Sequence, residues 1–267
     1  MTFKEKYTIT PAYLTSPSKR RSGLLLSPGV KFIVAHDTGN PGSTARANRN
    51  YFENSRDKEY PSAHLFIDNK EIIECIPALT SGKPEKAWHV LYTVPTDNQL
   101  FGFNANDAAI GVEYCYGGTI DADEAYRKYL WVIAKICSVY DLDPAKSIVG
   151  HCILDPKRKT DPVTGLLQSR RTYDQLLHDV VSEFKDCEGK NIPVYNFTEQ
   201  PGSGKVIHRL NIRKGKPTTQ ADIVEIVNPG ASVMFTGFVD NGESVNGNTK
   251  WYRDQNGNYF WSGGVKV

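Results

Sequence analysis

Residues 31–36 read KFIVAH. The run is apolar, rich in β-branched residues and only a few residues long, which suits a buried strand and is too short for a buried helix. DTGNPG at 37–42 is turn chemistry and ends the strand at once. His36 therefore lies at a strand end, where an α/β sheet builds its sites. Two further runs have the same character: AAIGVEYCYGG at 108–118, closed by Gly-Gly and carrying Glu113, and SIVGHCI at 147–153, carrying His151.

Between these runs lie helices and a hairpin. TARANRNYFENS at 44–55 is helical, with a start at Ser43 or Thr44. SAHLFIDNKEIIECI at 62–76 is strand, Asp-Asn-Lys turn, strand. DEAYRKYLWVIAKICSVYDL places apolar residues at 126, 129, 133, 136, 137 and 140, a helical period. TYDQLLHDVVSEFKDC repeats the pattern at 173, 176, 177, 180, 181 and 184, with Thr172 and Gln175 forming a capping box. The expected fold is α/β, a mixed central sheet flanked by helices. After Cys187 the texture changes. Residues 188–204 are polar, with Pro and Gly, and are expected to form a linker between a domain at 1–187 and a second at 205–267. The second shows short strand-like runs, close turn signals and the rings of Trp251, Tyr252, Tyr259, Phe260 and Trp261, the pattern of a small β-barrel.

Bulk properties narrow the field. The chain has 267 residues, 39% apolar and 23% charged, and a net charge of +2. That balance is too mild for a nucleic-acid binder, and the triplets KRR at 19–21 and KRK at 157–159 lack interleaved aromatics. Five cysteines without a CxxC pair point to reduced thiols and away from a disulfide framework. No apolar segment reads as a signal peptide or a membrane span, so synthesis in the cytoplasm without membrane insertion is expected.

The chemistry concentrates in GHCILDPKRKTDP, residues 150–162, too proline-rich to read as a helix. With His36 it supplies two histidines and a loop carboxylate, either Asp155 or Asp161. Two histidines and an aspartate form a catalytic zinc set with a fourth position left for water. Cys152 follows His151 directly and, on a strand, would point to the other face.

IVAHDTGNPGSTARANRNYF, SAHLFIDNKEIIECIP, AIGVEYCY and GHCILDPKRKTDP, in that order, resemble the zinc-dependent N-acetylmuramoyl-L-alanine amidases of type 2, which share their fold with peptidoglycan recognition proteins. The resemblance covers residues 10–185. It implies one Zn²⁺ per chain held by His36, His151 and Asp161, with Glu113 as the catalytic glutamate and Lys159 as a cation two positions before the third ligand. It implies hydrolysis of the amide between the lactyl group of N-acetylmuramic acid and L-alanine. Substrate contacts are expected at His64, Trp88 and His89, whereas His178 is expected in solvent. The tail, through LNIRKGKPTTQADIVEIVNPGASV and WYRDQNGNYFWSGG, resembles a bacterial SH3-like domain, which implies wall binding. The expected partner is bacterial peptidoglycan and the expected state a monomer. A phage endolysin, reaching the wall through a membrane lesion, or a bacterial autolysin fits this modular plan. A cytosolic muropeptide-recycling amidase would leave the tail idle, and a receptor that only binds peptidoglycan would lack part of the zinc set.

Overall fold

In the computed structural model, residues 3–188 and 195–267 are described, and the chain divides into two compact units, Met1–Asn191 and Ile192–Val267. The first unit runs β1 (Ile9–Pro11), β2 (Phe32–Asp37), α1 (Ala45–Asn54), β3 (Leu65–Ile67), β4 (Ile72–Glu74), α2 (Thr96–Phe101), α3 (Ala105–Ala108), β5 (Ala109–Tyr114), α4 (Ala122–Val139), β6 (Ile148–Gly150), α5 (His151–Leu154), α6 (Val163–Gln168) and α7 (Tyr173–Cys187). Its sheet has the order β1-β4-β3-β5-β2-β6. Only β3 and β4, the hairpin, pair antiparallel; the other neighbours are parallel, so the sheet is mixed as expected. The third apolar run is a strand only as far as Gly150. His151 opens one helical turn, and the loop beyond it is drawn back by the Cys152 N–H donating to the Asp161 carbonyl at 2.8 Å.

Side-chain alternation divides the sheet into two faces. On β2 and β5, Ile33, Ala35, Ile110, Val112 and Tyr114 enter the larger core with α4 and α7. Phe32, Val34 and Ala109 enter a smaller one with Val90, Ala105 and Leu154. Every residue of α4 expected to face the core from 126 to 137 is buried. Trp131 is buried as well, because Phe3 and Tyr7 from the N-terminal segment pack on it and the Lys4 carbonyl accepts its indole N–H at 3.1 Å. Thr44 and Thr172 cap α1 and α7 through their hydroxyls, as their positions require. No helix of the described residues is long and apolar enough to cross a membrane.

The second unit is a seven-stranded antiparallel sheet: β7 (Phe197–Val206), β8 (Leu210–Arg213), β9 (Ile223–Val227), β10 (Ser232–Val239), β11 (Trp251–Arg253), β12 (Tyr259–Trp261) and β13 (Val265–Lys266), in the order β13-β7-β10-β11-β12-β8-β9. Strand β7 corrects the expected linker at 188–204, since residues from Phe197 onward pair with β10. Residues 189–194 of that linker lie outside the described residues. Its glycines misled because one of them, Gly202, takes the Phe235 ring where a Cβ would stand, 2.7 Å from the ring carbon. Of the tail's aromatic cluster, Trp251, Tyr252, Tyr259 and Phe260 are buried and fill the core, leaving Trp261 half-exposed.

Trp131→Ala should lower the stability of the first unit by about 3–5 kcal/mol, through lost burial and the cavity left behind. Urea unfolding of the full chain followed by circular dichroism reads this as a lower midpoint at unchanged slope. A midpoint matching wild type would mean that the N-terminal segment does not pack on α4 as described.

Candidate metal centre

Register brings the site together before any loop does. His36 on β2 stands opposite Glu113 on β5, as Val34 does Gly111 and Phe32 does Ala109, all on the thinner face. The neighbouring strand β6 ends at Gly150 and releases His151 beside them. Asp37, next to His36, accepts the Gly39 and Gly165 N–H groups at 3.0 and 2.7 Å and so ties the turn after β2 to α6. From below the sheet, the Tyr129 hydroxyl donates to the His36 carbonyl at 3.0 Å.

Three donor atoms converge. His36 Nδ1 lies 2.8 Å from Asp161 Oδ2, His151 Nδ1 lies 3.1 Å from the same oxygen, and the two Nδ1 atoms are 3.1 Å apart. Protons alone cannot satisfy that triangle. An Nδ1 that donates to the carboxylate has no lone pair left for the other ring, and with both protonated the third edge sets N–H against N–H. A cation at the centre satisfies all three edges, so the residues fit a metal ion. Two imidazoles and one carboxylate match the donor preference of zinc and leave a coordination position free. Asp155, the alternative carboxylate, is instead engaged by the Arg158 guanidinium at 2.8 Å. Cys152 lies outside the triangle, but not because strand alternation turns it away, since it follows His151 on a helical turn.

The centre lies in a cavity of about 470 Å³ whose lining includes Thr38, Trp88, His89, Glu113 and Lys159. Among the described residues, five buried side-chain N or O atoms lack a hydrogen-bond partner, and four of them belong here: Thr38 Oγ1, His89 Nε2, Glu113 Oε2 and His151 Nε2. Such a concentration of unpaired groups marks a place built for a polar ligand. An adjoining hollow of about 510 Å³, sharing Trp88, His89, His151 and Lys159, is walled by Tyr60, Leu91 and Tyr92 and is mostly apolar.

Burial governs the protonation states. Desolvation lowers His36 to about 4 against the pull of Asp161, keeping its ring neutral as a ligand must be. Burial pushes Asp161 up, but the hydrogen bonds from His151 and His36 outweigh it and hold the carboxyl well below the usual carboxylate range. Glu113 moves the other way. Burial, then the charges of Asp161 and Asp37, raise it well above its ordinary value, opposed by Lys159.

The other expected residues separate. His89 and Trp88 line the cavity, His89 buried and Trp88 half-exposed. His64 does not line it. Its ring is fully buried, with Nδ1 accepting the Gly111 N–H at 3.0 Å and Nε2 donating to the Glu85 carbonyl at 2.8 Å, which corrects the expected substrate contact. His178 is exposed as expected. Thr38 escaped notice in the sequence, although it stands two residues from His36 and the period of a strand places it on the same face.

Residues 26–164 match the family model described as N-acetylmuramoyl-L-alanine amidase. The chain is 34% identical over 175 residues to N-acetylmuramoyl-L-alanine amidase BlyA of Bacillus subtilis (strain 168), covering 62% of this chain and 45% of the relative. It is 38% identical over 135 residues to a probable N-acetylmuramoyl-L-alanine amidase of Bacillus licheniformis, covering 49% and 36%. The matched stretch thus spans less than half the length of these curated relatives. Among solved structures, the catalytic domain of XlyA superposes with a TM-score of 0.52 at 23% identity over 65% of this chain and 99% of that one. Staphylococcus aureus hydrolase AmiA does so with 0.54 at 22% identity, over 71% and 89%. These two likenesses establish the fold.

The raised pKa of Glu113 makes a testable statement about stability. A carboxyl whose folded-state pKa exceeds its unfolded value favours folding fully below the unfolded pKa and loses that contribution as pH rises through the folded one. In metal-stripped protein, Glu113→Gln should therefore leave thermal stability near pH 4 unchanged and raise it increasingly toward neutral pH. A variant less stable than wild type at pH 7 would contradict the burial of an unpaired carboxyl.

Proposed function

The chain belongs to the N-acetylmuramoyl-L-alanine amidase family, and from that premise we propose that it hydrolyses the amide between the lactyl group of N-acetylmuramic acid and L-alanine in bacterial peptidoglycan, with one zinc ion held by His36, His151 and Asp161. The observation that carries this reading is the convergence of three donor atoms, 2.8–3.1 Å apart, in a cavity where Thr38, His89 and Glu113 also hold unpaired polar atoms. A receptor that only binds peptidoglycan has no need of a buried carboxyl and a free ammonium beside such a set.

An amide resists hydrolysis because water is a poor nucleophile and the tetrahedral intermediate carries a negative oxygen. Zinc held by the three ligands supplies Lewis acidity, which brings the pKa of water to about 7 and draws charge from a carbonyl. The chain's own residues move the proton. Glu113, opposite His36 and raised in proton affinity, accepts it from the attacking water and delivers it to the leaving amine, an effect worth about 10²–10⁴ in rate. The Lys159 ammonium has no hydrogen-bond or ion-pair partner among the described residues and lines both hollows, so it is available to the developing oxyanion. Its loop is held by the Lys159 N–H donating to the Asp155 carbonyl at 2.9 Å. Two hollows of unlike polarity meeting at the centre suit a substrate whose reactive amide joins a sugar to a peptide.

The second unit acts as a wall tether in this reading. Its aromatic rings serve chiefly as core, and the half-exposed Trp261 lines a small hollow with Arg209 and Arg213 that suits an anionic group on the wall. Tethering raises the effective concentration of the catalytic unit at an insoluble substrate.

Mass spectrometry of digested peptidoglycan should show stem peptides with a free L-alanine amine and glycan keeping its lactyl group. Glu113→Gln should lower kcat by about 10²–10⁴, and Lys159→Met by about 10²–10³, both with zinc content unchanged. Intact sugar–peptide links, or wild-type turnover in both variants, would sink the assignment.

Cutting between residues 191 and 192 leaves β7 whole in the tail. The 192–267 fragment should sediment with purified walls, and its removal should slow digestion of whole walls far more than of soluble muropeptides. Equal slowing on both substrates, with the tail left in the supernatant, would deny it a targeting role.

A further inference from the structure

Four buried histidines stand in a row. The ring centroids of His151 and His36 are 4.7 Å apart, those of His36 and His89 5.2 Å, and those of His89 and His64 5.7 Å. Hydrogen bonding fixes the far end. His64 Nδ1 accepts from a backbone N–H, so its proton sits on Nε2, where it serves the Glu85 carbonyl. At the near end, His36 turns Nδ1 into the donor triangle, which leaves its Nε2 3.1 Å from His89 Nδ1. A metal ion on His36 Nδ1 takes that lone pair, so His36 carries its proton on Nε2 and must donate it. His89 Nδ1 is the acceptor in reach, which places the proton of His89 on its own Nε2.

We propose that His89 is a positioning residue for the metal centre: its Nδ1 accepts the Nε2–H of His36 and fixes the tautomer and ring plane of that ligand. The proposal rests on the zinc reading above. Partners of this kind usually are carboxylates or carbonyls. A neutral imidazole orients the ligand without adding negative charge. With Asp161 already in the set, a second carboxylate would cancel the remaining positive charge of the centre and weaken its pull on a carbonyl.

The surroundings of His89 are built to hold this one geometry. The His89 and Val90 N–H groups both donate to Asn106 Oδ1, at 2.9 and 3.0 Å, and Asn106 Nδ2 returns a bond to the Val90 carbonyl at 2.6 Å. The backbone beneath the ring is thereby clamped. Opposite the ring stands Gly111, where a Cβ would lie 2.8 Å from His89 Nδ1. Any other residue in the middle of β5 would drive the acceptor away from His36. A ring that served only as filling would need neither the clamp nor the slot.

The first test is nuclear magnetic resonance on the zinc-loaded full chain with isotope-labelled histidine. A coupling across the hydrogen bond between His36 Nε2 and His89 Nδ1, with His89 protonated on Nε2, is expected; its absence, or a proton on His89 Nδ1, overturns the proposal. The second test is zinc affinity by chelator competition. His89→Leu should weaken binding about 10–100-fold. His89→Asn places Oδ1 where Nδ1 stood and should restore affinity to within about three-fold, whereas His89→Gln, whose acceptor reaches the Nε2 position, should not. Wild-type affinity in His89→Leu, or no rescue by asparagine, overturns the proposal. A His89→Leu chain that fails to fold leaves the coupling in wild type to decide. Wild-type protein that binds no zinc overturns the zinc reading itself, an outcome distinct from a wild type that binds zinc without depending on His89.

Discussion

The pairing of β2 with β5 is the constraint from which the site follows. It sets His36 opposite Glu113 and, two residues back, Val34 opposite Gly111, on the face away from α4 and α7. A slip of one residue would turn one row of side chains to the other face, burying Glu113 in the larger apolar core or exposing Val112 in its place. The apolar alternation forbids that slip, because Ile33, Ala35, Ile110 and Val112 are needed beneath the sheet. The same pattern that stabilises the first unit therefore positions His36 and the Glu113 carboxyl opposite each other. Loops then complete the set: β6 releases His151, and the turn bound to Cys152 returns Asp161.

The arrangement is held against its own electrostatics. Three donors within 3.1 Å of one another, and a carboxyl with an unpaired oxygen, are an unfavourable thing to bury. What offsets the cost lies around them. Asp37 fastens β2 to α6, Tyr129 fastens the His36 carbonyl from below, and Asn106 clamps the strip that carries His89. These bonds let the fold keep charges and lone pairs facing an interior that a ligand is needed to satisfy. Functional sites commonly gather perturbed groups in this way.

His36 and Glu113 are legible in the sequence because each lies at or near the end of a short apolar run, and that signal is local. The two long helices are legible for the same reason, with a period of 3.6 over enough residues to stand out. His151 is less so: the run that carries it stops being a strand at Gly150, and nothing local says that the next residue opens a helical turn. His64 and His89 look alike in the sequence, each a histidine beside an apolar stretch. Their difference is long-range, since His64 is claimed by backbone groups of residues 85 and 111 while His89 is left with a ring atom facing His36. Strand β7 was hidden by composition. Polar residues with Pro and Gly read as a linker, yet its pairing with β10 uses Gly202 as a seat for Phe235.

Absent side chains matter to the centre as much as present ones. Gly111 leaves the space that His89 fills against β5, and Gly165 leaves the space that Asp37 and Tyr116 fill against α6, where a Cβ would stand 2.8 Å from the Asp37 Cβ and 2.9 Å from the Tyr116 ring. In each case the glycine lies far in sequence from its occupant, and the occupant adjoins His36, one through a ring nitrogen and one through the chain. The positions of these groups are thus set from opposite sides: from β2 by alternation, and from β5 and α6 by vacated space. Close packing tolerates little change of volume at such contacts. A methyl group at either glycine would displace a neighbour of His36 without touching His36 itself, so the tolerance of that ring for movement is decided at residues that carry no chemistry.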